Sequence, residues 1–196
     1  VDRFAIEEPE KKALVWCGDH GNEKILTFSE LAKQVNKTAN VLKTLGIKKG
    51  DAVMLMLRRR YEFWYMLLAL HKIGAIAVPA TVQLLPSDIT YRIEKANINM
   101  VVALNEECVI FHIEDSIYDL KKKYFDNRKV PQLMLANGEK DYWINFESLF
   151  EKASSDFTEN PCSENEDISI LYFTSGTSGY PKMVSHNYFY PLGHIV

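Results

Sequence analysis

Six consecutive apolar residues at positions 52–57 (AVMLML) follow the turn residues Gly50-Asp51, and they restrict sharply how the chain can fold. A strand with no polar side must be covered on both faces, as in a parallel sheet enclosed by helices. The flanking patterns agree. Thr27-Phe28-Ser29-Glu30 has the spacing of a capping box, in which the Thr27 hydroxyl and the Glu30 carboxylate satisfy orphan amides at a helix start. Leu31, Val35, Ala39 and Leu42 then fall on one helical face, and Gly46 sits where a left-handed C-cap belongs. A second helix is expected over residues 62–73, apolar nearly all round and therefore deep in the protein, closed by Gly74.

Residues 75–78 read as another strand, ended by Pro79. Pro86-Ser87 opens a third helix over 88–96 with Ser87 as its cap, and 100–104 is a further buried strand. Such alternation predicts βαβ units: an α/β fold with a mostly parallel sheet flanked by helices. Between 105 and 155 the pattern weakens, with short elements expected at 117–124, 132–135 and 146–152. The polar stretch 154–167, carrying Pro161, reads as a linker, and 168–173 as a new strand. The expected division is an α/β subdomain over 1–153, a linker over 154–167, and a hairpin with the start of a next subdomain over 168–196.

Composition narrows the function classes. Of 196 residues, 47% are hydrophobic and 25% charged, which is globular usage. The net charge of −3 points away from a nucleic-acid partner held by bulk positive charge. The longest apolar runs, 63–70 and 52–57, fall short of the roughly 18 residues of a membrane span. The start, Val1-Asp2-Arg3-Phe4, carries no apolar signal core, and Cys17, Cys108 and Cys162 read as free thiols. A reducing, cytoplasmic location is expected. The five histidines lack the close pairing of metal ligands, so no protein-held metal is expected. The chain lacks an initiator Met and ends on Gly193-His194-Ile195-Val196, which suggests a portion of something longer.

One segment carries chemistry: Tyr172-Phe173-Thr174-Ser175-Gly176-Thr177-Ser178-Gly179-Tyr180-Pro181-Lys182. A hydrophobic strand delivers four hydroxyls, two glycines and a lysine. Glycines let backbone amides converge on an anion, and hydroxyls donate without bulk. Lys182 supplies a flexible positive charge able to follow a departing anion. A solvated Ser/Thr/Gly loop is the plain alternative. The Walker pattern is absent, since Pro181 precedes Lys182 and Met183 follows it, and so is the G-x-G-x-x-G fingerprint. Proline biases Tyr180 away from helical geometry, so an extended segment is expected at 183–185.

This run, continuing through Met183-Val184-Ser185-His186-Asn187, resembles the phosphate-loop signature of the adenylate-forming AMP-binding superfamily. That group includes acyl-CoA synthetases, luciferases and peptide-synthetase adenylation domains. Residues 50–57, Glu62-Phe63-Trp64 and 68–81 are similar to the family's early strand–helix–strand segment. Residues 85–96 and Pro191-Leu192-Gly193-His194 lean toward acetyl- and medium-chain acyl-CoA synthetases. The resemblance implies that Thr174, Ser175, Gly176, Thr177, Ser178, Gly179, Tyr180, Pro181 and Lys182 hold the β- and γ-phosphates of ATP. It implies Mg2+ with the nucleotide, a carboxylate substrate, an acyl-adenylate intermediate with release of pyrophosphate, and CoA as acceptor. The family's downstream aromatic-Gly-x-Thr-Glu segment, ribose-binding aspartate and late lysine are not present in this chain. It is therefore expected to be an incomplete N-terminal part, inactive alone, holding no catalytic residue and prone to self-association through an uncovered apolar face. The rivals are an amino-acid or aryl adenylation domain, a non-catalytic nucleotide-binding module, and a flavodoxin-like domain with an accidental loop.

Elsewhere the plain readings prevail. Arg58-Arg59-Arg60 is a solvated strand-to-helix turn or a contact for CoA phosphates, and Lys121-Lys122-Lys123 a helix face. His186 is expected to be structural, with a nucleotide contact as the alternative, and His71 a satisfied core histidine. Phe63, Trp64 and Tyr65 read as core packing, and Tyr172 and Phe173 as anchors beneath the loop. No cysteine has a neighbouring base in sequence.

Overall fold

The computed structural model describes residues 1–19, 21–124, 130–158, 163–174 and 179–194. The chain begins with helix α1 (Asp2–Glu7), the antiparallel hairpin β1 (Lys12–Cys17) and β2 (Glu23–Thr27), and helix α2 (Phe28–Thr44). There follow β3 (Ala52–Met56), α3 (Tyr61–Lys72), β4 (Ile76–Pro79), α4 (Pro86–Lys95), β5 (Ile98–Ala103) and α5 (Glu107–Tyr124). The remainder is β6 (Gln132–Leu135), β7 (Ile144–Asn145), α6 (Phe146–Lys152), β8 (Ile168–Thr174), β9 (Lys182–Asn187) and a 3₁₀ turn at Tyr190–His194.

Strands β3 to β9 form one seven-stranded sheet in the order β7-β6-β5-β3-β4-β8-β9. Every pairing is parallel except β8 with β9. Strand β3 is buried along its whole length, and its alternating side chains feed two separate cores. Val53, Leu55 and Leu57 pack with Met66, Ala69 and Leu70 of α3 and Val35, Ala39 and Leu42 of α2. Met54 and Met56 pack with Ile89 and Ile93 of α4 and Ile113 and Ile117 of α5. Helices thus cover both faces, as the apolar run requires. No helix among the described residues is long and apolar enough to cross a membrane.

The capping box is formed: the Glu30 amide donates to Thr27 Oγ1 at 3.2 Å and the Thr27 amide to Glu30 Oε2 at 2.9 Å. Gly46 has φ of 84°. Three helix expectations need correction. Helix α3 is not apolar-buried all round: Trp64 is exposed on its outer side, while Glu62, Tyr65, Met66, Ala69 and Leu70 face inward. The inward Glu62 carboxylate is offset by a two-pronged pairing with Arg60, at 2.9 Å from Nε and 2.5 Å from Nη2. Helix α4 starts at Pro86, not after Ser87, and its N-cap Leu85 makes no side-chain bond. Proline needs no N–H partner and presets φ, so the helix begins on it. Helix α5 extends 18 residues instead of the short element at 117–124, because Val109, Ile113, Ile117 and Leu120 keep one face buried.

The N-terminal hairpin, which sequence patterning left unassigned, lies against α2 and the start of α3. Trp16 Nε1 donates to the Arg59 carbonyl at 2.7 Å, and the Lys24 ammonium lies 4.0 Å from the Tyr61 ring centroid. Strands β8 and β9 are tied to α3 by the Tyr188 hydroxyl, which donates to the His71 carbonyl at 3.0 Å. The His71 ring meets the Tyr188 ring edge-on at 5.5 Å, but its Nε2 is buried without a partner among the described residues, so this histidine is not fully satisfied there. Burial lowers its pKa below the ordinary 6.5, opposed by a hydrogen bond to the Ser169 backbone.

Two outcomes follow from these contacts. Thr27→Ala should destabilise the fold by about 1 kcal/mol in urea unfolding, with Thr27→Ser near wild type. A histidine whose folded pKa is lowered stays neutral in the folded chain while the unfolded chain takes up the proton. Its stabilisation is therefore present above pH 6.5 and declines as pH falls through that value toward the folded pKa. Urea midpoints between pH 7.5 and 5 should drop less in His71→Phe than in wild type; equal slopes would exclude His71 as the source.

Candidate functional site

Strand β8 runs parallel to β4, with Ala77 opposite Ile170, and so delivers Thr174 to the carboxyl edge of the sheet. Strand β9 returns antiparallel, pairing Lys182 with Thr174 across the base of the loop. The Thr174 hydroxyl donates to the Lys182 carbonyl at 3.4 Å. The extended segment expected at 183–185 is part of β9. Gly179 has φ of 103°, a conformation side chains rarely adopt, although an added Cβ would meet nothing within 4 Å. The glycine is required by its backbone and not by crowding. Lys182 is exposed, and among the described residues its ammonium has no carboxylate partner. Ser175, Gly176, Thr177 and Ser178 lie outside the described residues.

Both legs of the loop are gripped by adjacent side chains of α4. The Arg92 guanidinium lies 5.1 Å from the Phe173 ring, which Tyr91 meets edge-on at 6.1 Å. Tyr91 also stacks on Tyr180 at 4.8 Å and 15°, and its hydroxyl donates to the Pro181 carbonyl at 3.0 Å. Nothing in the pattern of residues 85–96 beyond helical periodicity marked Tyr91 or Arg92. Their partners lie 81 to 90 positions away, and only the packing of α4 on the sheet brings them together.

Helix α3 leaves β3 toward one face and α4 leaves β4 toward the other, which opens a crevice at the carboxyl ends of these two strands. A cavity of about 330 Å³ occupies it, bordered by Leu57, Arg58, Phe63, Pro79, Thr81 and Tyr172. Arg58 sits there with φ of 49° and holds Glu106 two-pronged at 2.9 and 2.7 Å, which raises its pKa. A larger cavity, about 740 Å³, lies at the opposite end of the hairpin beside Ile168, His186, Asn187 and Tyr190. The smaller one, beside the loop, is where the carboxyl ends of the strands open. His186 packs between Tyr172 at 5.6 Å and Tyr190 at 3.9 Å, a structural placement.

The remaining candidates are also placed. Tyr172 is partly exposed on the crevice side, whereas Phe173 packs toward α4. Tyr65 is 2% exposed, and burial raises its phenol pKa. Cys17 and Cys108 are free and exposed, and Cys162 is outside the described residues. The absence of a neighbouring base in sequence does not hold in space for Cys108: His112 Nε2 lies 3.8 Å from its sulfur, one helical turn on. Lys123 pairs with Glu94 at 2.8 Å. Among the described residues, no three His, Cys, Asp or Glu side chains converge as a metal site.

Residues 1–192 match the family described as AMP-binding enzyme. The chain belongs to the AMP-binding enzyme family. Human acyl-coenzyme A synthetase ACSM2B, mitochondrial, is 34% identical over 179 residues, covering 90% of this chain and 29% of that protein. Mouse acyl-coenzyme A synthetase ACSM4, mitochondrial, is 34% identical over 196 residues, covering 95% and 32% respectively. The anthranilate CoA ligase AuaEII, solved with anthranoyl-AMP, shares the fold with a TM-score of 0.79 at 23% identity, over 97% of this chain and 33% of that one. The chain thus spans about a third of the length of the curated relatives it matches. In this family member, Thr174 and Lys182, the described ends of the loop, stand at the carboxyl edge of the parallel strands, the end at which open α/β sheets bind ligands.

Proposed function

We propose that this chain is the N-terminal part of an ATP-dependent acyl-CoA synthetase of the short- or medium-chain type. In that reaction a carboxylate attacks the α-phosphorus of ATP, pyrophosphate leaves, and CoA thiol then displaces AMP to form the thioester. The observation that carries the reading is Lys182: an exposed ammonium without a carboxylate partner among the described residues, at the base of a hydroxyl- and glycine-rich turn on the carboxyl edge. Family membership supports it.

In this reading Thr174, Ser175, Gly176, Thr177, Ser178, Gly179, Tyr180, Pro181 and Lys182 form the phosphate loop. The Lys182 ammonium neutralises the β- and γ-phosphates and then the charge that grows on pyrophosphate as it departs. The Thr174 hydroxyl, bonded across the hairpin, keeps the base of the loop closed. Bound Mg2+ would neutralise phosphate oxygens, but the described residues do not assemble a protein-held site for it, so no step is assigned to such a site. Residues 1–153 would serve as the supporting subdomain, 154–167 as the linker, and 168–196 as the hairpin that begins the next. A cytoplasmic location is proposed from the free thiols Cys17 and Cys108, while the names of the curated relatives carry "mitochondrial".

Lys182→Ala in the complete polypeptide should lower ATP–pyrophosphate exchange by about tenfold to a hundredfold, the worth of a charge-assisted contact to phosphate. The 196-residue chain alone should give no exchange with acetate, hexanoate or benzoate; turnover would refute its incompleteness. Exposed Met183 and Val184 lie on β9, the edge strand of the sheet. Light scattering of the isolated chain should therefore show mass rising with concentration, and a constant monomer mass would exclude self-association.

A further inference from the structure

We propose that Tyr91 is the positioning residue of the phosphate loop, setting the leg that presents Lys182. The inference rests on the reading of 174–182 as that loop and adds a residue from outside it. Three contacts converge on this one side chain: the stack on Tyr180, the hydrogen bond to the Pro181 carbonyl, and the edge contact with Phe173. They bracket the loop, since Phe173 precedes it and Tyr180-Pro181 closes it. The anchor is rigid because Ile89 and Ile93 of the same helix are buried in the core beneath the sheet.

The bond to Pro181 is the decisive contact. Position 181 lies just beyond the last cross-strand pair, Thr174 with Lys182, so the ladder ends before it. Proline has no N–H, which leaves its carbonyl as the one backbone group available to hold this point of the chain. The Pro181–Lys182 peptide is planar, so tying the Pro181 oxygen to Tyr91 also sets the direction of the Lys182 amide and the position of its Cα. Tyr180 is 75% exposed, and the face it does cover is the one against Tyr91. Removing Tyr91 would release the stack and the carbonyl together, leaving Lys182 held on its loop side by the pairing with Thr174 alone.

The test compares ATP with AMP, which lacks the β- and γ-phosphates, by calorimetric titration of the complete polypeptide. Tyr91→Phe deletes the hydroxyl and keeps the stack; it should weaken ATP about threefold to tenfold. Tyr91→Ala deletes both and should weaken ATP by roughly thirtyfold. AMP affinity should stay at the wild-type value in both. Equal weakening of ATP and AMP would overturn the proposal, because a merely structural residue would damage the whole site. Wild-type ATP affinity in Tyr91→Ala, with Lys182→Ala impaired, would remove Tyr91 alone and leave the phosphate-loop reading standing. Wild-type ATP affinity in Lys182→Ala would defeat that reading and this proposal with it.

Discussion

The structure depends on a strand that has no polar face. Because β3 is buried along both sides, the chain must place helices above and below the sheet, and α3 covers one face while α4 and α5 cover the other. The route from β3 to α3 and that from β4 to α4 diverge, and a crevice at their carboxyl ends is the geometric result. The loop reaches that edge because β8 adds beside β4 in the same direction.

Helix α4 serves two purposes through two faces. Ile89 and Ile93 bury themselves in the second core, while Tyr91 and Arg92 reach the legs of the loop. This division follows from helical periodicity, since residues one or two positions apart point in different directions. The hairpin is in turn secured at its other end, where Tyr188 bonds α3 and Lys49 pairs with Asp167 at 2.7 Å. Held at both legs and rooted in a packed hairpin, the base of the loop keeps Thr174 and Lys182 exposed across from one another.

Where sequence reasoning failed, the missing information was non-local. The capping box at Thr27 and Glu30 and the left-handed Gly46 were legible because each depends on residues within a few positions. The start of α4 was misplaced by two residues because Ser87 is a good cap and Pro86 a good first helical residue, and only packing decides between them. The first half of α5 carries Cys108, Phe111 and His112, which weaken its local signal, yet burial of Val109 and Ile113 makes it helical. Likewise an apolar helix around His71 suggests a satisfied ring, but whether a ring nitrogen finds a partner depends on what packs over it.

Apolar runs and their spacing by themselves determined that this protein is an α/β fold with a parallel sheet, since a strand without a polar side admits few other surroundings. The string of hydroxyls, glycines and Lys182 left a plain solvated loop open on residue chemistry alone, and it was its resemblance to a family signature that pointed to the family matched over residues 1–192. Tertiary structure decided the strand order, the crevice, the ion pair of Arg58 with Glu106, and the grip of Tyr91 on Pro181. These rest on contacts between residues far apart in the chain, and such contacts exist only once burial of the two cores has brought the elements together.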